Sequence, residues 1–317
     1  MRRGRENIKT QISNTQKRSR KQGVKVMLLA LPAILIVILF NYIPLWGWSF
    51  AFIQYKPGRE IANSAFVGWD NFTQLFSNNI MRRELFRVLR NTFAIHFLGY
   101  VFSPLPMLFA IFLGEIRSRR FQKMIQTITT LPNFISWAIM FSLATSMFSS
   151  NGLFNSILVS TGLTDAPLNI LNSSDNVWLT QVLFQQWKGM GWNAIIYFAA
   201  IAGIDQGIFE AAMVDGAKRW QKIWYITIPQ LIPTFFVILI IGIGNFLNTG
   251  VDQYLAFGNA LNKEYIETLD LYVYNLGIGS GQISFSVAVG IMKTVVALVL
   301  FVSANWASKK IRGNSVF

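Results

Sequence analysis

Long apolar runs separated by short polar ones set the rhythm of this chain. No charged residue falls between Lys25 and Lys56. A run of that length exceeds the roughly 20 apolar residues that cross a hydrocarbon core as a helix. Further apolar runs occupy Asn91 to Leu113, Ile125 to Phe148, Val177 to Gly203, Gln230 to Gly250 and Phe285 to Trp306. With Val26 to Phe52 in front, the pattern predicts six spanning helices. The runs are too long, and alternate too little, for a membrane β-barrel. Pro104, Pro106 and Pro132 fall inside predicted spans; membrane helices tolerate such residues as kinks where neighbours satisfy the freed carbonyls. Lys188 and Gly189-Met-Gly191 mark an expected interruption in the fourth span.

One polar stretch stands out between two of these runs: Glu210 to Pro229, EAAMVDGAKRWQKIWYITIP. Glu210-Ala211-Ala212 opens a helix of small residues able to pack closely on a partner. Gly216 falls where a helix ends in a left-handed turn, a position without penalty for a residue lacking Cβ. Helical character resumes from Ala217 to Tyr225, carrying Lys218, Arg219 and Lys222, and Pro229 suits the first turn of the following span. An ordinary loop would not need this spacing.

Composition agrees with a polytopic membrane protein. Of 317 residues, 53% are hydrophobic and 13% charged, against about 25% charged in soluble domains; mean hydropathy is +0.41. The net charge of +14 would suggest nucleic acid in a soluble protein. Here the basic residues gather at the edges of the spans, so they set orientation, and no nucleic-acid partner is expected. The tail of residues 1–25, the loop Arg117-Ser-Arg-Arg-Phe-Gln-Lys123, the 205–228 island and the tail from Lys309 to Phe317 place both termini in the cytoplasm. The basic tail can also meet anionic membrane lipid. The chain divides into the tail 1–25, a first helix with its external segment (26–87), a five-helix core (88–308) containing the helix-turn-helix 205–228, and the tail 309–317. One cluster breaks the charge rule: Arg82, Arg83, Arg87 and Arg90 lie just before the second span on the external side. Either they meet lipid headgroups on an interfacial helix, or they form a docking surface for an acidic partner.

Several chemistries are excluded. The chain has no Cys and a single His, His96, so neither a disulfide framework nor a metal site is expected. No G-x-x-x-x-G-K-[ST] loop is present to cradle nucleotide phosphates, and no nucleophile-base constellation points to an enzyme. The spans carry no carboxylate near their centres, which argues against the alternative of an ion- or proton-coupled carrier. The energy for any transport must come from another chain.

The order Glu210-Ala211-Ala212, three residues, Gly216, nine residues, Ile226-Thr-Ile228-Pro229 resembles the signature of binding-protein-dependent ABC importer permeases, with Ile228 where that signature has Leu. Asn41-Tyr-Ile-Pro-Leu-Trp-Gly47, Phe66-Val-Gly-Trp-Asp-Asn-Phe72, Leu131-Pro-Asn-Phe-Ile-Ser-Trp137 and Tyr272-Val-Tyr274 are similar to the complex-carbohydrate branch, whose members take up alginate, pectin or aldouronate oligosaccharides. The resemblance covers all but the N-terminal tail. It implies an all-helical, maltose-permease-like type I importer permease in a bacterial inner membrane. It also implies a second homologous permease, two cytoplasmic ATPase subunits that bind ATP and Mg, and an extracytoplasmic solute-binding protein. In such families the helix-turn-helix couples the ATPase to the spans, which assigns coupling to Glu210, Ala211, Ala212 and Gly216; exposure and charge add Lys218 and Arg219.

For the substrate path, Asn245, Asn248 and Asp252 have spacings that put them on one helix face. Trp187 and Trp192 can stack on sugar rings or anchor the helix at the interface. Lys293, in the middle of the sixth span, must face protein or water, since a lysine at the centre of a membrane helix costs about 2.5–3.5 kcal/mol. It either meets an anionic sugar or makes a structural ion pair.

Overall fold

The computed structural model describes Gly23 and residues 25–312. Most of the basic N-terminal tail and residues 313–317 lie outside the described residues. Among the described residues the structure is helical, with one isolated antiparallel bridge between Ile53 and Phe66. The helices are α1 (Lys25–Phe52), α2 (Asp70–Ser77), α3 (Asn79–Val101), α4 (Leu105–Gly114), α5 (Arg119–Thr130), α6 (Trp137–Phe148), α7 (Leu153–Ser160), α8 (Val177–Ala202) and α9 (Gln206–Val214). They continue with α10 (Arg219–Gly244), α11 (Asp252–Phe257), α12 (Lys263–Ile266), α13 (Leu269–Tyr274) and α14 (Ile283–Arg312). Four helical stretches are long and apolar enough to cross a membrane, and six if each of two bent pairs counts as one span.

The second predicted span is longer than its apolar run. It begins at Asn79, where the Asn78 side chain accepts from the Ile80 and Met81 amides, and continues through α4 to Gly114 as a stretch of 36 residues. The arginine cluster is therefore part of α3. Pro104 sits at the short break before α4 and Pro106 in its first turn, where the missing N–H groups cost least.

The third predicted span is not a kinked helix. The chain turns by 110° between Phe134 and Trp137. Leu131–Phe134 tightens to a 3-10 turn, Ile135 and Ser136 are extended, and the Ser136 hydroxyl caps α6 at the Ile139 amide. Such a bend strands the last carbonyls of the first arm. Lys188 satisfies them: its Nζ donates to the carbonyls of Pro132, Asn133 and Ile135 at 3.1, 2.8 and 2.6 Å. The expected interruption of α8 does not occur. Lys188 reaches out of a continuous 26-residue helix. Gly191 lets that helix meet the α5 backbone, since a Cβ there would stand 2.3 Å from the Thr129 carbonyl oxygen. The lysine and glycine thus fix the bend to α8.

The loop from residue 251 to 282 folds over α3. Arg87 donates to Glu84 and Glu267 at 2.6 and 2.5 Å, and Asn275 donates to the other Glu267 oxygen at 2.7 Å. Buried Asn91 donates to the carbonyls of Glu264 and Glu267, and the buried Thr92 hydroxyl accepts from the Leu269 amide. Arg87 is therefore a structural clamp, contrary to both readings of the cluster; Arg82 and Arg83 stay exposed.

Core packing follows these joints. One apolar cluster joins Ile95, Val182, Tyr254 and Phe257. A second joins Val88, Leu269 and Phe285, and a third joins Ala110, Ala194, Tyr197 and Leu231. The most apolar window of α1 buries nothing within this chain.

Candidate functional site

At one end of the bundle the Glu210 stretch forms a helix-turn-helix. α8 ends at Ala202 and the chain turns by 68° into α9. Asp205 caps α9, its Oδ1 accepting from the Gly207 amide at 2.9 Å. Gly216 adopts φ +77°, and the Ala217 amide reaches back to the Ala212 carbonyl at 2.8 Å. That is the closing bond of a glycine-terminated helix. A Cβ on Gly216 would have nothing within 4 Å. The requirement for glycine is thus conformational, not steric contact.

Beyond the turn, Gln221 accepts from the Lys218 amide at 2.7 Å and α10 begins at Arg219. No break separates it from the fifth span. Residues Arg219 to Gly244 run as one helix of 26 residues, and Pro229 lies inside it rather than at a start. A single wide turn at Ile223–Thr227, closed by the Ile228 amide on the Ile223 carbonyl, lets the helix pass a proline that cannot donate.

Glu210, Ala211, Lys218 and Arg219 are exposed, with Ala212 half-buried. Around them Met213, Val214, Trp220 and Trp224 expose large apolar surfaces, Val214 at 88%. Arg219 lies 3.9 Å from Glu115, just after α4, and Trp220 meets Phe112 edge-on at 6.1 Å. Exposed apolar side chains and charges of both signs thus share one surface, which the Gly216 turn joins to the fifth span.

In the middle of the bundle a cavity of about 230 Å³ opens among α3, α4, α8 and α10. His96, Tyr100, Ser103, Gln185, Gln186 and Asn193 line it with Ile196, Phe235 and Gly242. Three buried polar atoms on its wall, His96 Nε2, Tyr100 Oη and Gln186 Oε1, have no protein partner. Buried polar groups rarely go unpaired, and these three belong to side chains that line the cavity. Gln185 donates to the Tyr254 hydroxyl at 2.8 Å, tying the wall to α11.

The expected substrate-path residues do not converge on this cavity. α10 ends at Gly244, so Asn245, Asn248 and Asp252 do not share a helix face. Asn245 caps the end and donates to the Ile241 carbonyl, Asn248 donates to Asn245, and Asp252 opens α11. Their spacing suited a helix that stops too early. Lys293 pairs with Asp270, whose other oxygen accepts from the Gly250 amide and the Thr249 hydroxyl. Its side chain is 13% exposed and that of Asp270 16%: it makes the structural ion pair, across to a residue that reads as an external acid. Trp187 lines an apolar groove with Phe148 and Phe184, and Trp192 meets Phe134 edge-on at 5.7 Å.

The cavity residues were missed because His96 reads as a packed residue and the α8 polar groups were passed over. A signal did exist: Gln185, Gln186 and Asn193 are polar side chains within a spanning helix, where such groups mark function.

Comparison with known proteins identifies the family. Residues 103–313 match the model of the binding-protein-dependent transport system inner membrane component. Protein LplB of Bacillus subtilis (strain 168) is 37% identical over 94% of this chain and 92% of its own length. The polygalacturonan/rhamnogalacturonan transport system permease protein YteP of the same organism is 36% identical over 92% and 89%. A solved bacterial ABC transporter involved in the import of the acidic polysaccharide alginate is similar at 31% identity and a TM-score of 0.80, covering 93% of this chain and 98% of that one. The same is true of a bacterial alginate ABC transporter in complex with alginate pentasaccharide-bound periplasmic protein, with a TM-score of 0.81 and coverage of 94% and 98%. The chain is a multi-pass inner membrane permease and belongs to the family of inner membrane components of binding-protein-dependent transport systems.

Proposed function

We propose that this chain is one permease subunit of an ATP-driven importer for oligosaccharides, fragments of acidic plant or algal polysaccharides being the first class to test. Its partners are a second homologous permease, two cytoplasmic ATPase subunits and an extracytoplasmic solute-binding protein. Both termini and the Gly216 turn face the cytoplasm, and the Arg87 end faces out. The single observation that carries the mechanism is the continuity of α10. An ATPase that grips the surface around Val214 and Trp220 holds, through Arg219 and Trp220, the start of a helix that goes on to line the cavity at Phe235 and Gly242. Closing of the ATPase pair then moves the cavity wall through α10, with only the short Gly216 turn between that helix and α9.

The cavity supports the substrate class. Unpaired donors and acceptors beside apolar walls suit sugar hydroxyls and ring faces. Lys293 is neutralised by Asp270, so selection of an anionic sugar is not its task. Reconstituted vesicles holding the permease pair, with and without the ATPase chains, test the reading. Labelled oligosaccharide should enter only with the ATPase and ATP present. Uptake driven by a proton gradient alone would overturn it.

A further inference from the structure

Three arginines of the external cluster are left over once Arg87 is bonded to Glu84 and Glu267. Arginine on the external side opposes the charge bias that orients the spans, so these three call for a ligand or a partner. Arg83, Phe86, Arg90, Phe93 and Phe97 follow one another at spacings of three and four along α3, which puts them on one helix face. That face is turned away from the core, where α3 buries Val88, Asn91, Thr92 and Ile95. Phe86, Phe93 and Phe97 are 65%, 52% and 67% exposed. Arg83 and Arg90 are exposed too, with Arg82 at the edge of the face. Arg82 donates to Asn79 at 2.9 Å, and Arg83 has no ion-pair or hydrogen-bond partner among the described residues. Arg90 stands against the Trp178 and Tyr265 rings, 5.7 and 5.2 Å from their centroids, with Glu264 Oε1 3.9 Å away. Glu84, the one acid on α3, is taken up by Arg87.

We infer that this face is a binding site for one anionic phospholipid, its headgroup among Arg82, Arg83 and Arg90 and its acyl chains along Phe93 and Phe97. Placing it in the outer leaflet rests on the orientation proposed above; the binding does not. Depth decides between a lipid and an acidic soluble protein. Arg90 directly precedes the apolar run that begins at Asn91. Phe93 and Phe97 therefore lie at hydrocarbon depth, about 4–5 Å and 10–11 Å further along the helix. Arg82 and Arg83 stand about 10–12 Å on the other side of Arg90, and their long side chains reach back to the headgroup layer. A soluble protein reaches the arginines but not Phe93 and Phe97. A phospholipid touches both, because its charge and its apolar chains follow each other in the same order as these side chains. Three guanidiniums with one distant acid leave a positive charge that a headgroup of zero net charge does not balance.

The test puts the photoreactive analogue p-benzoylphenylalanine in place of Phe93. The full chain, alone and together with the partners proposed above, is reconstituted in vesicles of equal phosphatidylglycerol and phosphatidylcholine. After illumination, the mass of the adduct identifies what lies on the face. The phosphatidylglycerol adduct should exceed the phosphatidylcholine adduct about fivefold, the worth of one basic residue at an anionic surface. Arg82→Gln with Arg83→Gln should bring the two adducts near parity, and Arg82→Lys with Arg83→Lys should keep the excess. Both arginines are exposed, so neither pair of substitutions threatens the fold. Parity with the native arginines, an excess untouched by the glutamines, or an adduct to a protein chain overturns the site. Both leaflets carry the same lipids, so the ratio is read whichever end faces out. Failure of sugar uptake in the vesicles holding the partners would count against the importer reading alone.

Discussion

At the scale of single residues, two positions carry more than their chemistry suggests and a third carries less. Gly191 is one, because α8 approaches the Thr129 carbonyl so closely that a methyl group has no room. Gly191→Ala should cost about 1–3 kcal/mol as overpacking, read as a lower melting temperature in detergent. Gly189→Ala, two positions away, should cost much less, since its Cβ would meet only the movable Asn193 side chain. Lys293 is another. Removing one partner of a buried ion pair costs about 3–5 kcal/mol, whereas replacing both by apolar groups is often neutral. Lys293→Met should therefore destabilise strongly and Lys293→Met with Asp270→Leu should recover most of the loss in the same melting assay. Equal melting for the single and double variants would contradict the pairing. Arg219 is the counter-example: an exposed pair at 3.9 Å contributes little, and Arg219→Ala should leave the melting temperature unchanged.

At the scale of elements, the sequence revealed what its spacing controls and hid what depends on distant partners. The Glu210–Gly216 turn was legible because a left-handed glycine leaves a local mark, and the structure places Gly216 at φ +77°. The run of apolar residues gave each span's existence. It did not give the 110° bend after Phe134, because that bend is stabilised by Lys188, more than 50 residues away. Nor could it show that α10 ends at Gly244, which dissolved the supposed face of Asn245, Asn248 and Asp252. Arg87 departs from both readings of the arginine cluster for a related reason: its partners are Glu84 and the remote Glu267. The bend gives an element-scale expectation. Lys188→Met should free three carbonyls and loosen the Leu131–Trp137 segment, seen as faster hydrogen exchange at the amides of residues 131–139, with α10 unaffected. Unchanged exchange there would show that the bend stands without the lysine.

At the scale of the whole molecule, one long helix links the region of the Gly216 turn to the central cavity. The helix-turn-helix exposes Met213 and Val214 on α9 and Trp220 on α10, and α10 runs from Arg219 to the cavity wall at Phe235 and Gly242 without a break. The 251–282 loop is fastened to α3 by Arg87 and Asn91. α1, whose apolar surface is not covered by this chain, must be covered by lipid or by another subunit.

The most direct measurement of this account is the ratio of sugar imported to ATP hydrolysed in the reconstituted importer, compared between the wild type and Gly216→Val. The substitution meets open space but forbids the left-handed turn, so it distorts the helix-turn-helix while leaving the cavity as it is. The account predicts that ATP is still hydrolysed while uptake collapses, so that the ratio falls at least tenfold, by analogy with the loss of one coupling contact. An unchanged ratio, with a folded and correctly assembled variant, would contradict the claim that the Gly216 turn drives the transport path.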